Sequence, residues 1–371
     1  MKTLLKNLIH SAPTEDRGEQ KAAQVLYDYF TALNIPVKVE TWDTNRSNAV
    51  IHIQSKGKRP ALLFGAHLDV VPAQADQWTV DPHRAIEKDG RIYGRGATDM
   101  LGGLASAACA IAQTIQNGTE LEGDLILAAT AGEETDSCGV IRFVESVRDT
   151  LGLLAGVILP EPTALEILTA HRGILWIRIT LHGKSAHGSM PRLGINAIEK
   201  ANTLLSDLFQ FQVDDPPHPL LGSTSVSINR ITGGTATNIV PDKCEIEMDT
   251  RTLPDTNFDK TIHAIQALLD DHTQKDADFS AELSVLRRVP AIETDADCDF
   301  VKTVCGATGI SKTGVVAFTT DGPHFHELSP NIIILGPGRP QMCHKPDEYI
   351  ETSQLETAVK MYQQIIERLL T

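Results

Sequence analysis

Four short apolar runs, each long enough for a buried strand, mark the first 160 residues of this 371-residue chain. A helical pattern at 19–33 precedes them, and a second at 102–116 separates the second run from the third. Apolar runs that alternate with helices are typical of an α/β fold, in which flanking helices cover a mostly parallel central sheet. The runs are AVIHIQ (49–54), ALLFGA (61–66), LILAAT (125–130) and GVILP (156–160).

A different pattern begins after His171 and predicts a second, inserted domain. The run ILWIRITLHG alternates like a half-exposed strand, and a β-α-β-β-α pattern extends to residue 271. The α/β pattern then resumes, with a strong strand at 331–336 and a closing helix at 353–370. We therefore predict an α/β domain made of 1–172 and 286–371, interrupted by a smaller α+β domain at 173–285.

Side chains that can bind metals follow the predicted strands. The carboxyl ends of parallel strands meet at one edge of a sheet, where ligands of open α/β sheets usually bind. Asp99 stands just before the helix at 102–116 and can project into the same crevice. The strand-end residues are His67 and Asp69, Glu133 and Glu134, Glu161, and His344.

Each of these residues also has an ordinary interpretation. A single histidine is most often structural or exposed, and an acidic residue after a strand often caps a turn or a helix. Glu133 and Glu134 alone could begin a solvated helix. These interpretations do not explain why such residues recur at one sheet edge, so we favour a metal site.

The ligand types narrow the metal. Imidazoles and carboxylates without a thiolate suit zinc, with cobalt or manganese as substitutes. Five candidates exceed the three protein ligands of a usual catalytic zinc but fit two ions, provided that one carboxylate bridges them. The five are His67, Asp99, Glu134, Glu161 and His344.

Two acidic residues remain beside this set. Asp69, two residues after His67 on the same strand face, is the natural partner of that imidazole. Glu133 has no metal to hold, and a free carboxylate beside a metal-activated water is suited to act as a general base. The pattern therefore indicates a hydrolase.

Composition limits the partners and the compartment. With 33 basic and 48 acidic residues the chain carries a formal charge of −15, which disfavours nucleic acids and anionic membranes as partners. The six scattered cysteines form no CxxC pair and favour a reducing compartment. The N-terminal apolar residues follow a helical stripe, unlike a signal peptide, so we expect a cytoplasmic protein.

Longer motifs extend the pattern over nearly the whole chain. They resemble the di-zinc amidohydrolases that include acetylornithine deacetylase, succinyl-diaminopimelate desuccinylase, aminoacylase and a glutamate-releasing carboxypeptidase. The spelling GPG…HKPDEY favours the acetylornithine deacetylase-like branch. The motifs are GAHLDVVP (65–72), DGRIYGRGATDMLGG (89–103), AGEETDSCG (131–139), PEP (160–162), GKSAHGSMPRLGINAI (183–198), TNIVPDKCEIEMDTR (237–251) and GPGRPQMCHKPDEY (336–349).

The resemblance implies a role for each metal-site candidate. Asp99 would bridge two divalent ions, and a non-proline cis peptide would follow it. His67 and Glu161 would complete one site, and Glu134 and His344 the other. Glu133 would be the base and acid, and Asp69 the support of His67.

The resemblance also makes the α/β domain catalytic and the inserted domain a lid that forms a homodimer. His187 would reach the partner's active site and steady an oxyanion, while Arg251 and Asn238 would hold the substrate carboxylate. The ordinary alternatives are that His187 simply lies in a surface loop and that Arg251 is simply a charge at a strand edge. Thr319 is a further substrate-binding candidate, in a segment that corresponds to a substrate-contacting loop.

The expected activity is hydrolysis of the amide bond in a small N-acyl amino acid. A hydroxide shared by the two metals would attack, with Glu133 as general base. A di-zinc dipeptidase or carboxypeptidase is the nearest alternative. A non-catalytic metal-binding homologue is the alternative from another class.

Overall fold

The computed structural model describes residues 1–11, 13–14 and 16–371, and it divides them into two compact units. The large unit consists of Met1–Ala170, Glu293–Val315 and Thr320–Thr371. The inserted unit consists of His171–Ile292 and Val316–Thr319.

The strands of both units are numbered here in chain order. They are β1 (Lys38–Trp42), β2 (Arg46–Ile53), β3 (Ala61–His67), β4 (Ile86–Lys88), β5 (Arg91–Tyr93), β6 (Leu125–Thr130), β7 (Leu154–Leu159), β8 (Ile167–His171), β9 (Gly173–His182), β10 (Ala186–His187), β11 (Ser225–Gly233), β12 (Ile239–Val240), β13 (Lys243–Thr252), β14 (Ser280–Val289), β15 (Ile292–Glu293), β16 (Thr313–Val316), β17 (Ile332–Ile334) and β18 (Tyr349–Glu351).

The helices are numbered in the same way, and short 3₁₀ turns add to them at Ala75–Gln77, Pro191–Leu193 and Pro340–Met342. Among the described residues, no helix combines the length and apolarity needed to cross a lipid bilayer. The helices are α1 (Lys2–Ser11), α2 (Gln20–Thr31), α3 (Leu101–Gln116), α4 (Cys138–Val147), α5 (Ala197–Leu208), α6 (Phe258–Lys275), α7 (Asp299–Thr308), α8 (Gly322–Phe325) and α9 (Thr352–Leu370).

The main sheet of the large unit has the order β1-β2-β6-β3-β7-β17-β8-β15. Its four central strands, β6, β3, β7 and β17, are parallel. The predicted α/β class with a largely parallel central sheet is therefore confirmed. The strand predicted at 49–54 runs antiparallel to β6. Only residues 54–60 join it to β3, which is parallel to β6, and so short a connection cannot form a crossover to a parallel strand.

Both faces of this sheet are covered at its centre, which explains why the central strands β3 and β6 are almost entirely apolar. Every residue of β3 and β6 is buried. The predicted N-terminal stripe is confirmed as the buried face of α1, and Tyr362 of α9 packs edge-on against Phe64 of β3. The small residues of α3 allow close packing, since a Cβ at Gly103 would collide with the Pro160 carbonyl at the end of β7.

The inserted unit is a four-stranded antiparallel sheet, in the order β11-β13-β9-β14, with α5 and α6 in its core. Inward residues of β9 such as Ile177 and Ile179 are fully buried, while the alternate positions stay partly exposed. The side chain of Asn196 caps α5 by accepting from the amides of Ile198 and Glu199. Strand β14 was not predicted, because it is an exposed edge strand with a bulge and two adjacent arginines.

Candidate metal centre and active site

The candidate ligands of the large unit stand at the carboxyl edge of the four parallel strands. His67 ends β3, Glu133 and Glu134 follow β6, and Glu161 lies two residues after β7. His344 lies in the long loop after β17, and Asp99 directly precedes the N-terminus of α3. The parallel register places His67 beside Thr130 of β6, so chain segments far apart in sequence converge at one edge.

Two groups of candidate ligands share the carboxylate of Asp99. One contains His67, Asp99 and Glu161, the other contains Asp99, Glu134 and His344, and within each group the possible ligand atoms lie within 4.8 Å of one another. Asp99 Oδ1 is 3.4 Å from His67 Nε2, and Asp99 Oδ2 is 3.4 Å from His344 Nε2. Each carboxylate oxygen therefore faces a different imidazole. The peptide between Asp99 and Met100 is cis, as the resemblance implied.

The His67 ring supplies the observation that tests whether a cation fits. Its Nδ1 lies 2.9 Å from the Asp69 carbonyl oxygen, which can only accept, so Nδ1 donates. Its Nε2 is buried and has no hydrogen-bond partner among the described residues. Glu161 Oε1 lies 3.8 Å from this nitrogen. A buried, unbonded imidazole nitrogen among carboxylates is the donor set that a divalent transition metal requires.

The electrostatics of the cluster point the same way. Burial raises the pKa of Glu161 and of Glu134, and the neighbouring carboxylates raise both further. Burial also acts on Asp99, but the nearby imidazoles of His344 and His67 hold its pKa below the usual range. Hydrogen bonds to Asp99 and Glu134 raise the pKa of His344 to about 10. The cluster holds more negative than positive charge, a mismatch that bound cations would remove.

Asp69 holds two parts of the site together. Its Oδ1 accepts from the amides of Gly132 and Glu133 at 2.8 and 3.1 Å, and its Oδ2 accepts from the amide of Glu134 at 3.1 Å. Its carboxylate oxygen lies 3.7 Å from Nδ1 of His67, whereas its backbone carbonyl makes the hydrogen bond to that ring. The aspartate therefore supports the glutamate turn as well as the imidazole.

Glu133 lies beside the cluster and has a raised pKa. Burial raises its pKa well above the ordinary glutamate value, and although His67 lowers it, the charges of Asp321, Glu134 and Glu161 raise it further. A carboxyl group in such a setting is suited to accept and return a proton.

Two supporting residues were missed by the sequence analysis. Asn48, buried in β2, accepts from the Ala131 amide at 3.0 Å and donates to the Gly139 carbonyl at 2.8 Å, so it clamps both ends of the turn that carries Glu133. Glu348 is fully buried and accepts from the amide of Asp99 at 3.1 Å. The motif HKPDEY contained Glu348, but nothing in the local sequence named its partners.

The other candidates all lie in the inserted unit. His187 in β10 pairs with Ile239 of β12, and the neighbouring Gly188 amide donates to the carbonyl of Asn238. Nδ1 of His187 accepts from the Ser189 amide at 3.2 Å, which leaves Nε2 to carry the proton of the neutral ring.

Arg251 does not lie near Asn238 within the unit. It stands eight residues beyond the first residue of β13, Lys243, which is roughly 26 Å of extended strand, whereas Asn238 precedes that residue. Arg251 donates from Nε to Asp249 at 3.0 Å. The hydroxyl of Thr319 donates to the carbonyl of Arg172 at 2.6 Å.

Residues 63–368 match Peptidase family M20/M25/M40. The chain belongs to this family, which confirms the predicted resemblance at family level and identifies a metal-dependent amide hydrolase.

Solved structures share the fold over almost the full length. An M20 family metallo-carboxypeptidase from Sulfolobus solfataricus is 18% identical with a TM-score of 0.81, covering 98% of this chain and 97% of its own. A tripeptidase from Staphylococcus aureus is 21% identical with a TM-score of 0.79, at 99% and 98% coverage. A dinuclear metal-binding peptidase of the M20 family from Bacillus subtilis is 17% identical with a TM-score of 0.69, at 99% and 96% coverage.

Proposed function

We propose that this protein hydrolyses the amide bond of N-acyl amino acids with the help of two divalent metal ions, zinc in preference to cobalt or manganese. The observation that carries the proposal is the carboxylate of Asp99, whose two oxygens face two separate groups of ligands. The protonatable carboxyl group of Glu133 stands beside these groups.

His67, Asp99 and Glu161 would hold one ion, and Asp99, Glu134 and His344 the other. Three ligand carboxylates carry a charge of −3 and two divalent ions carry +4, so a single anion would neutralise the centre. When bound, such a pair supplies an activated water and a Lewis acid for the acyl carbonyl.

Glu133 takes the proton in this reaction and later returns it. Its carboxylate removes a proton from the attacking water, and the carboxyl group then donates that proton to the departing amine. Asp69 holds the backbone amides of Glu133 and Glu134, which keeps the proton carrier and a metal ligand in one fixed turn.

Residues of two chains would together bind the substrate carboxylate. Arg251 presents a planar fork suited to a carboxylate, and its bond to Asp249 uses only Nε. Asn238 and His187 adjoin each other at the opposite end of the inserted unit. We therefore assign Arg251 to one subunit of a homodimer formed through the inserted unit, and His187 and Asn238 to the other.

His187 would act as a donor to the developing oxyanion. Because its Nδ1 accepts from the Ser189 amide, the neutral ring carries a hydrogen on Nε2 that can point at a negative oxygen. Thr319 donates its own hydroxyl proton to Arg172, so its oxygen can accept from a substrate N–H.

An acetylornithine deacetylase-like substrate, an N-acetylated amino acid, is our first candidate, because the motif GPG…HKPDEY resembles that branch more closely than the desuccinylase branch. Peptide hydrolysis is the second candidate, favoured by the likeness to the carboxypeptidase and tripeptidase structures. Both substrates present the free carboxylate that Arg251 would bind. The six free thiols support our proposal of a cytoplasmic location.

Amine release from a panel of substrates tests this proposal. The panel contains N-acetylornithine, N-acetyl-lysine, N-acetylcitrulline, N-acetylmethionine, N-succinyl-diaminopimelate and several dipeptides, each with added zinc or cobalt and again after chelation. We expect chelator-sensitive hydrolysis of an N-acyl amino acid. Cleavage of the dipeptides alone would favour the peptidase, and hydrolysis unaffected by chelation would contradict the metal mechanism.

A further inference from the structure

Glu348 is a fully buried carboxylate of the large unit that lies outside the candidate ligand groups. Its Oε1 accepts from the amides of Thr98 and Asp99 at 2.8 and 3.1 Å. Its Oε2 accepts from Nη1 of Arg95 at 2.7 Å and from the amide of Gly96 at 3.2 Å. One side chain therefore satisfies four donors of the segment that ends in Asp99.

The same contacts join this segment to the loop that carries His344. Glu348 follows His344 by four residues, and the carbonyls on either side of it take part as well. Arg95 Nη1 donates to the carbonyl of Lys345 at 3.4 Å, and Thr98 Oγ1 donates to the carbonyl of Tyr349 at 2.6 Å. The two loops that carry Asp99 and His344 are thus bonded along their length.

We propose that Glu348 is a positioning residue, which fixes the Asp99 segment against the His344 loop and so sets the geometry in which these two side chains bind metal. The inference rests on the proposed function, because it assumes that Asp99 and His344 are ligands. Partners that orient ligands in this way are worth ten- to a hundredfold in metal affinity.

The contacts show why a glutamine cannot replace this glutamate. Each oxygen of Glu348 meets two donors and no acceptor. In either orientation of the amide, its NH₂ group would face two N–H donors, which leaves buried donors unsatisfied and pushes the segment away. The guanidinium of Arg95 also lies over the ring of Trp78, 5.2 Å from its centroid, a contact that it would lose by turning away to accommodate the amide.

The neighbouring residue provides a matched control. Asp347 directly precedes Glu348 in the same loop, and it accepts from the amide and the hydroxyl of Thr79 at 2.8 and 3.0 Å. Because a hydroxyl can also accept, Asp347→Asn can keep both contacts. Asp347→Asn makes the same chemical change as Glu348→Gln without touching the Asp99 segment.

The first measurement is the affinity for Co²⁺, titrated against a competing chelator. The titrations are made at pH 8, because a buried carboxyl group ionises less readily than an exposed one. We expect Glu348→Gln to bind Co²⁺ ten- to a hundredfold more weakly than the wild type and Asp347→Asn to bind it within about twofold, since its contacts lie outside the Asp99 segment.

Amide hydrogen exchange provides a second readout that needs no metal. The amides of Gly96, Thr98 and Asp99 should lose protection in Glu348→Gln and keep it in Asp347→Asn. If Glu348→Gln does not fold, Arg95→Lys replaces it. Lysine retains the charge but cannot reproduce the guanidinium fork, and we expect its loss of affinity to be about three- to tenfold, half the effect of Glu348→Gln on a logarithmic scale.

The variant Asp99→Ala distinguishes an error in the role of Glu348 from an error in the proposed metal centre. Wild-type affinity in folded Glu348→Gln or Arg95→Lys, together with loss of metal in Asp99→Ala, would overturn the role of Glu348 alone. Wild-type metal content in Asp99→Ala would overturn the proposed metal centre itself.

Discussion

Replacing Asn48 should show how much this side chain contributes to the stability of the turn that carries Glu133 and Glu134. Its side chain is almost fully buried and makes two hydrogen bonds to backbone groups, from the Ala131 amide and to the Gly139 carbonyl. In Asn48→Ala both backbone groups lose their partner. Each buried, unsatisfied group costs about 1–3 kcal/mol, so we expect a loss of about 4 kcal/mol in the free energy of unfolding.

The assay is urea unfolding of the metal-free protein at 25 °C, followed by circular dichroism. The metal-free form is used so that weaker metal binding does not add to the measured change. Asn331→Ala is the control: Asn331 donates to the Ala155 carbonyl at 3.0 Å before β17, at the opposite edge from the site. It removes one partly exposed bond and should cost about 1 kcal/mol.

We also expect Asn48→Ala to impair function, because the turn carries a proposed metal ligand and the proposed base. Asn48→Ala should bind Co²⁺ about tenfold more weakly, while Asn331→Ala should not differ from the wild type. A loss of less than 1 kcal/mol in Asn48→Ala, or equal losses in both variants, would refute the account of this turn.

Three further predictions concern the base, the metals and a buried histidine. Glu133→Gln should lower kcat by about 10²–10⁴-fold at unchanged metal content, and a near-normal kcat would refute the base assignment. Chelation should lower the unfolding temperature, because each ion present at a thousandfold its Kd adds about 4 kcal/mol; equal melting of both forms would contradict the metal centre. Burial lowers the pKa of His171 to about 4 from 6.5, so only the unfolded chain gains this proton as the pH falls from 7 to 5. The wild type should therefore lose about 2 kcal/mol of its free energy of unfolding over this pH range, and His171→Gln should not show this loss. Identical pH dependence of urea unfolding in the two proteins would refute this role of His171.

Much of the fold and of the candidate site could be predicted because the signals were local. The apolar runs of β3 and β6 are buried throughout, as their composition indicated. His67 came within reach of Glu161 and of Glu134 once each residue was placed at the end of a strand or just after it, since the carboxyl ends of parallel strands share an edge.

The features that escaped prediction depend on distant partners. Glu348 and Asn48 bond backbone groups about 250 and 80–90 positions away in the sequence, and a backbone amide has no residue type to recognise. The sequence analysis gave no direction for β2, because a short apolar run does not by itself distinguish a parallel from an antiparallel strand. Strand β14 was missed because its exposed, bulged edge breaks the alternation of buried residues.

The expected pairing of Asn238 with Arg251 shows a different limit. Both residues lie in one motif, only 13 positions apart, but most of that interval is the single extended strand β13. An extended strand separates its ends by more than 3 Å per residue, so nearness in sequence here means distance in space. The proposed homodimer would bring these two side chains to one substrate carboxylate from different chains.

The most direct test of the central claim is the number of divalent ions bound per chain, measured by elemental analysis after zinc loading and removal of free metal. We expect two ions in the wild type, one in His67→Ala and one in His344→Ala, and fewer than two in Asp99→Ala because this carboxylate serves both groups. A single ion in the wild type, or two ions in Asp99→Ala, would contradict this claim.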